Sequence, residues 1–313
     1  MTEMLQTVIV PSEKKPVRKE NLFWQVLTGV VESKAALVGL IVCVVILLLA
    51  VFAPWVVPQD PYNLATLNIL DSRLPPGSKG FSGGTYWLGT DGQGRDMISA
   101  MIYGLRTSLG VGLLSGVFAI VVGTTLGLLA AYRGGWVDAF IMRWVDLMLG
   151  FPAILVALIL LAILGQGVDK VVLALVIVQW AFYARTVRGT ALAERSKEYV
   201  EAARCLALGH RRILFRHLLP NCMPPIIVIA AVRVASAISA EATLSFLGLG
   251  VPITKPSLGL LIANGYKYLL SGSYWISFFP GFLLMVTIFS INIVGDRLRE
   301  VLNPRLQEIK VSD

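Results

Sequence analysis

The sequence predicts an all-α integral membrane protein of six transmembrane helices with both termini on the cytoplasmic side. Three observations carry this reading. The 313 residues are 56% hydrophobic and only 15% charged, where an ordinary globular domain carries about a quarter charged residues. Long runs free of charge recur along the chain instead of merging into one apolar core. Lysine and arginine concentrate in particular connections.

A spanning helix needs about 20 mainly apolar residues. Residues 35–59, 107–132, 147–168 and 268–295 contain no Asp, Glu, Lys, Arg or His, and each is long enough to cross a bilayer. Two further spans complete the six. Residues 171–184 are uncharged, and this span extends toward Arg185 and Arg188, whose long side chains can snorkel to the interface. The stretch from Pro224 to Leu249 stays apolar around Arg233 and Glu241. For the first span, a retained helix is favoured over a cleaved secretory signal, because a 34-residue leader precedes it and no clear small-residue cleavage site follows. Cys43, Cys205 and Cys222 are isolated, which suggests neither a disulfide framework nor a zinc site.

Orientation follows from the basic residues of the short loops, which favour the cytoplasmic side. The leader carries Lys14, Lys15, Arg18, Lys19 and Lys34. The connection between spans four and five carries Arg185, Arg188, Arg195, Lys197, Arg204, Arg211, Arg212 and Arg216. Segment 56–105 instead balances Asp60, Asp71, Asp91 and Asp96 against Arg73, Lys79 and Arg95. The net charge of +8 therefore reflects topology and contact with anionic lipid headgroups, not nucleic acid. The expected organisation is a leader at 1–34, in which 21–24 could start a surface helix, a first span at 35–56 and an extracytoplasmic loop at 57–105. A five-helix core at 106–296 follows, with a cytoplasmic loop at 189–221 inside it, and then a tail at 297–313.

Span two carries Gly112, Gly116, Gly123 and Gly127. At 100° per residue these form one stripe about 60° wide, and two of the intervals are GxxxG, the spacing that lets helix backbones approach closely in lipid. Span two is therefore expected at the centre of the bundle. Among intramembrane charges, Arg143 and Asp146 are expected to pair on one face of span three, being three residues apart. Arg233 and Glu241 share a face of span five. Glu241 sits deeper, and it either lines a pathway or hydrogen-bonds a neighbouring helix. Near Asp91, Gln93 and Arg95 a turn stabilised by Asp side chains is favoured over a calcium loop.

The cytoplasmic loop reads as two short helices around a turn. Residues 194–206 are strong helix formers, Gly209 can end a helix in a left-handed cap, and Ile213, Leu214, Phe215 and Leu218 give the second helix an apolar side that Pro220 terminates. Such an apolar side needs cover from other spans or from a cytoplasmic partner.

Glu201-Ala202-Ala203, followed by Ile213, Leu219, Pro220 and Asn221, resembles the signature of the permeases of ABC importers. Ala207 stands where the related peptide permeases usually have glycine, and Gly209 lies two residues later. Three other segments narrow the resemblance to the dipeptide, oligopeptide and nickel permease family, in the subunit with the larger first external loop. These are Leu88–Leu109, Leu244–Gly250 and Asn292–Leu306; Leu258 departs from a Trp that is usual there. The resemblance implies the fold of a type I ABC importer permease in the bacterial inner membrane, and it implies partners. These are a second permease subunit, two ATPase subunits that hold ATP and Mg, and a periplasmic binding protein that delivers short peptides.

It also implies that Glu201, Ala202, Ala203, Ala207, Gly209, Ile213, Leu219 and Pro220 form the ATPase-docking loop. The chain has no GxxxxGK[ST] loop to cradle a nucleotide phosphate and no assembled nucleophile and base, so an enzyme is not expected and no cofactor is assigned to it. The stretch Gln179–Arg185 and the pair Gly209-His210 lie somewhat closer to the nickel branch, which keeps nickel or a metal chelate as the alternative substrate. A secondary transporter would call for broken helices with midplane charges in two inverted halves, and none is visible in the sequence.

Overall fold

The computed structural model describes residues 28–62, 67–81 and 83–302. The reading of 21–24 as a surface helix and the resemblance at Asn303–Leu306 lie outside these residues. The long helices are α1 (Lys34–Val51), α2 (Met97–Arg133), α3 (Gly135–Gly150), α4 (Ala153–Leu164) and α5 (Val168–Arg195). They are followed by the short α6 (Glu198–Cys205), then α7 (His210–Phe246), α8 (Leu258–Tyr266) and α9 (Trp275–Leu302). Among the described residues five helices, α1, α2, α5, α7 and α9, are long and apolar enough to cross a membrane, and the count becomes six if the bent pair α3–α4 is one span.

The bent pair corrects the expectation of one straight helix over 147–168. Pro152 disfavours the helical conformation at the residue before it, and Phe151 is extended at φ −98°, ψ 146°. The chain turns by 93° between the two helices. Absence of charge marked an apolar run and carried no information about its direction. At the other extreme, α2 begins at Met97, ten residues before its charge-free run, because the Asp96 carboxylate caps it by accepting from Ser99 N at 2.8 Å and Ser99 Oγ at 2.7 Å. Segment 97–105, expected within the outer loop, is the first part of this helix.

α2 is the central helix, and its glycines explain why. A methyl group on Gly123 would stand 2.4 Å from the Trp180 carbonyl oxygen, and one on Gly127 would stand 2.4 Å from that of Ala184, so the backbones of α2 and α5 touch directly. Gly112 and Gly116 instead face Ile238 and Val234 of α7. The stripe serves two neighbours in succession. Around it, Val111, Leu161, Leu175, Val178 and Leu244 form one buried cluster, and Ile46, Leu105, Leu109, Ile238 and Leu258 form another that draws in α1 and α8.

One end of the bundle carries the described parts of segment 57–96, residues 57–62, 67–81 and 83–96. Its short hairpin pairs β1 (Ser78–Lys79) with β2 (Thr85–Tyr86). Buried Asp71 accepts from Phe81 N at 2.8 Å and from the Tyr86 hydroxyl at 3.1 Å. Asp91 accepts from Gln93 N at 2.8 Å and Arg95 N at 3.0 Å and pairs with Arg95 Nε at 2.6 Å, which makes it the centre of a tight turn. Trp275 Nε1 donates to the Thr90 carbonyl at 3.1 Å and ties the segment to α9. At the opposite end, Arg297 of α9 donates to the Gly29 carbonyl at 2.8 Å and pairs with Glu32.

Gly127→Val is expected to separate α2 from α5 and to cost at least ~3 kcal/mol, in the range of severe core overpacking. Gly110→Ala, whose added carbon meets open space, should not destabilise and should gain up to ~1 kcal/mol of helix propensity. Detergent-solubilised yield and thermal unfolding of the two variants check the pair, and equal behaviour would contradict the backbone contact.

Candidate functional site

The end of the bundle opposite the hairpin carries residues 194–221, and their construction begins with the stop of α6. Leu208 N donates to the Ala203 carbonyl at 3.1 Å and Ala207 N to the Arg204 carbonyl at 2.9 Å. This is the paired bonding of a Schellman cap. The left-handed residue in it is Ala207, at φ 50°. Gly209 is extended at φ −60°, ψ 143°, and opens the next helix as its N-cap, with Arg212 N donating to its carbonyl at 2.9 Å. The expectation of a left-handed cap at Gly209 is therefore corrected. Burial sets the register of the cap: Val200 and Ala203 must face inward, and that places the turn at 207.

The second helix is not a separate element ended by Pro220. It is the first part of α7, which continues through Pro220, Pro224 and Pro225. Ile213–Leu218 is π-helical, and Leu219 N donates to the Leu214 carbonyl. The wider i→i+5 turn brings residues five apart onto one side. Ile213 and Leu218 are both 1% exposed, whereas Phe215 points outward at 61%. Pro220 then falls at the start of the ordinary α register, where its missing N–H does least harm.

The segment is thus two-sided. Val200, Ala203, Ile213 and Leu218 pack on Leu128, Val187, Cys222 and Ile226 of α2, α5 and α7. The outer side exposes Glu201, Ala202, Arg204, Leu206, Arg211, Arg212, Phe215, Arg216 and Pro220, with Leu206 73% exposed, while Leu219 is half-buried against the same cluster. Polar ties hold the arrangement. Arg195 donates to the Ala131 carbonyl at 2.9 Å, the Tyr132 hydroxyl meets His210 Nδ1, and Asn221 bridges the His217 carbonyl at 2.7 Å and the Tyr199 hydroxyl at 3.2 Å. Burial first, and then a 2.8 Å bond to Glu194, push the Tyr199 phenol up to about 12, so it keeps its proton at any physiological pH.

The intramembrane charges take partners that local spacing did not indicate. Asp146 pairs with Arg185 of α5, not with Arg143, which corrects the expected pair within α3. Arg188 clamps Asp138, at 2.6 Å from Nη2, further along the same antiparallel α3–α5 contact. That clamp sets Arg185 opposite Asp146 and leaves Arg143 exposed. Glu241 is fully buried; it accepts from Ser108 Oγ of α2 at 2.6 Å and Ser245 Oγ at 2.7 Å. Ser108 Oγ in turn accepts from Leu258 N at 3.4 Å. Of the two roles open to Glu241, hydrogen bonding to a neighbouring helix is the one observed. Arg233, on the same helix, stacks on the Phe182 ring of α5 with its guanidinium carbon 3.4 Å from the ring centroid. The three-way knot of α2, α7 and α8 at Glu241 and the Arg233–Phe182 stack both went unread, because each depends on helices distant in sequence.

The chain is similar over most of its length to membrane components of one class of transporter. The family described as "Binding-protein-dependent transport system inner membrane component" matches residues 123–308, and the "N-terminal TM domain of oligopeptide transport permease C" matches 22–76. A di/tripeptide transport system permease protein of Pseudomonas aeruginosa is 39% identical over 287 residues, covering 91% of this chain and 92% of that protein. An oligopeptide transport system permease protein of Bacillus subtilis is 36% identical over 278 residues, covering 88% of this chain and 87% of that one. Among solved structures, the inward-facing MetNI methionine ABC transporter matches with a TM-score of 0.54 at 22% identity, covering 66% of this chain and 98% of that chain; it shows a shared fold.

Three substitutions check this geometry. Ala207→Gly should stabilise by ~0.5–1 kcal/mol, since glycine removes the cost of a left-handed alanine, and should raise the melting temperature. Glu241→Ala strands the Ser108 and Ser245 hydroxyls and should cost ~2–4 kcal/mol, whereas Glu241→Gln, which keeps an acceptor, should cost less than half of that. Thermal unfolding of the assembled complex ranks the three, and a Gln variant as damaged as Ala would rule out the hydrogen-bonded role.

Proposed function

Because the chain belongs to the family of inner membrane components of binding-protein-dependent transport systems, we propose that it is one of two permease subunits of an ATP-driven importer of dipeptides and oligopeptides. It is a translocation subunit and not an enzyme; hydrolysis belongs to separate subunits. The observation that carries the substrate class is the identity of 36–39% over about nine-tenths of the chain to di/tripeptide and oligopeptide permeases. Peptide is favoured over nickel for the same reason.

In this reading α3–α4 counts as one broken span, which gives six. The leader 1–34 and the tail 297–313 are cytoplasmic, 57–96 faces the periplasm, and the whole sits in the bacterial inner membrane. The basic residues around 185–216 support that orientation. A periplasmic binding protein delivers peptide to the hairpin end. A second permease completes the pathway, and two ATPases carrying ATP and Mg dock at the other end.

The docking surface is the outer side of segment 189–221. Glu201 and Ala202, the Ala207–Gly209 turn, and exposed Leu206 and Phe215 would meet the ATPase. Ala203, Ile213, Leu219 and Pro220 would connect that surface to the bundle. Two large apolar side chains exposed among arginines on a tightly anchored element suit a protein groove. Motion of the groove would reach α7 directly, since the segment runs into it without a loop.

Purified with its neighbouring subunits and reconstituted, the complex should take up labelled di- and tripeptides only with ATP and binding protein. Absence of peptide uptake would refute the substrate reading. The double variant Leu206→Asp, Phe215→Asp should lower ATPase recovery on the permease at least about tenfold, as loss of two interface anchors predicts. An ATPase that still co-purifies and drives uptake at the original rate would refute the docking reading.

A further inference from the structure

Arg233 lies well inside an apolar span, where a charge costs roughly 2.5–3.5 kcal/mol on insertion scales and is retained for use. Among the described residues it makes no ion pair. On the neighbouring α5, Arg185 is paired with Asp146 and Arg188 with Asp138. Its described contact is the face of Phe182, which orients the guanidinium by a cation–π interaction and leaves its N–H edges free to meet a ligand.

Those edges border a cavity of about 540 Å³ lined by Phe182, Arg185, Pro224, Pro225, Arg233 and Arg299, among others. Three arginines from three helices, α5, α7 and α9, converge there. Next along α7 toward the hairpin end, exposed Ser236, Ser239 and Thr243 line a second cavity of about 430 Å³ beside the α3–α4 break. The hydroxyls of Ser236 and Thr243 donate to backbone carbonyls four residues back, so they present a polar, uncharged wall. Arg233 stands where this wall ends and the basic cavity begins.

We propose that Arg233, held by Phe182, binds the carboxylate of peptide in transit, with Arg299 drawing it onward toward the ATPase end. The proposal rests on the reading of the chain as a peptide permease and adds an anion subsite to it. A planar guanidinium suits bidentate recognition of a carboxylate, the group shared by peptides of any side-chain composition. Such a subsite would read substrate class without reading sequence.

The test uses the full complex with its binding protein in proteoliposomes, and measures both dipeptide uptake and peptides moved per ATP hydrolysed. Arg233→Gln should lower uptake about tenfold, the worth of one charge-assisted hydrogen bond, and should lower the peptide-to-ATP ratio with it. Arg233→Lys, which keeps the charge, should recover at least about half of the wild-type uptake. An unchanged uptake, an unchanged ratio, or a Lys variant no better than Gln overturns the proposal, because each assigns Arg233 a packing role. Repeating the comparison in vesicles of neutral phosphatidylcholine separates the two sources of anion. The difference between wild type and Arg233→Gln should persist; its disappearance would assign the subsite to anionic lipid and overturn it. If the wild-type complex moves no peptide, the failure belongs to the proposed substrate class and not to Arg233.

Discussion

The close approach of α2 to α5 is the contact on which the rest of the bundle depends. In lipid no hydrophobic effect drives one apolar helix onto another, so association relies on van der Waals fit and polar ties. Gly123 and Gly127 let the carbonyls of Trp180 and Ala184 come within 2.4 Å of where a side chain would begin. With that contact fixed, α2 presents Ser108 to Glu241 at one end and the Ala131 carbonyl to Arg195 at the other. A single helix thereby joins the hairpin end of the molecule to residues 194–221.

How much of this could be read in advance depended on whether the information was local. Charge-free runs located the apolar helices, since lipid exposure requires apolar side chains wherever a helix lies. The glycine stripe identified the central helix, because close packing in lipid needs small residues at fixed helical spacing. Helix ends were legible only where capping and apolarity coincided. Met97–Arg106 is helical yet lies beyond the apolar run, and Phe151-Pro152 breaks a run that composition shows as uniform. Pro220 looked like a stop and is passed through, because the π-helical turn before it shifts the register in which a missing N–H matters.

The candidate site divides in the same way. Of the apolar side expected at Ile213, Leu214, Phe215 and Leu218, the π turn keeps Ile213 and Leu218 inward and turns Phe215 out, whereas the turn sits at Ala207 because burial of Val200 and Ala203 outweighs the preference of glycine for positive φ. Charge partners were the least legible part. Arg143 and Asp146 have the spacing of a helical pair, yet the Arg188–Asp138 clamp brings Arg185 within reach, and a guanidinium from another helix takes the carboxylate. Glu241 and Arg233 share a helix and are divided between different neighbours, one in a cage of hydroxyls and the other against an aromatic ring.

The break between α3 and α4 has a consequence for the subunit on its own. The 12 residues of α4 reach at most about 18 Å inward from the hairpin end, less than the ~30 Å of a hydrocarbon layer. In the proposed six-span reading the interruption at Phe151 and Pro152, which are exposed, falls inside that layer. Carbonyls at the end of α3 lack the helical donors of a continuous span, and acyl chains offer none. Non-helical backbone at such depth is tolerated only against other protein or beside water. A solitary copy surrounded by acyl chains is thus an incomplete solute, and the solvent itself calls for a neighbour or a wet channel along that face.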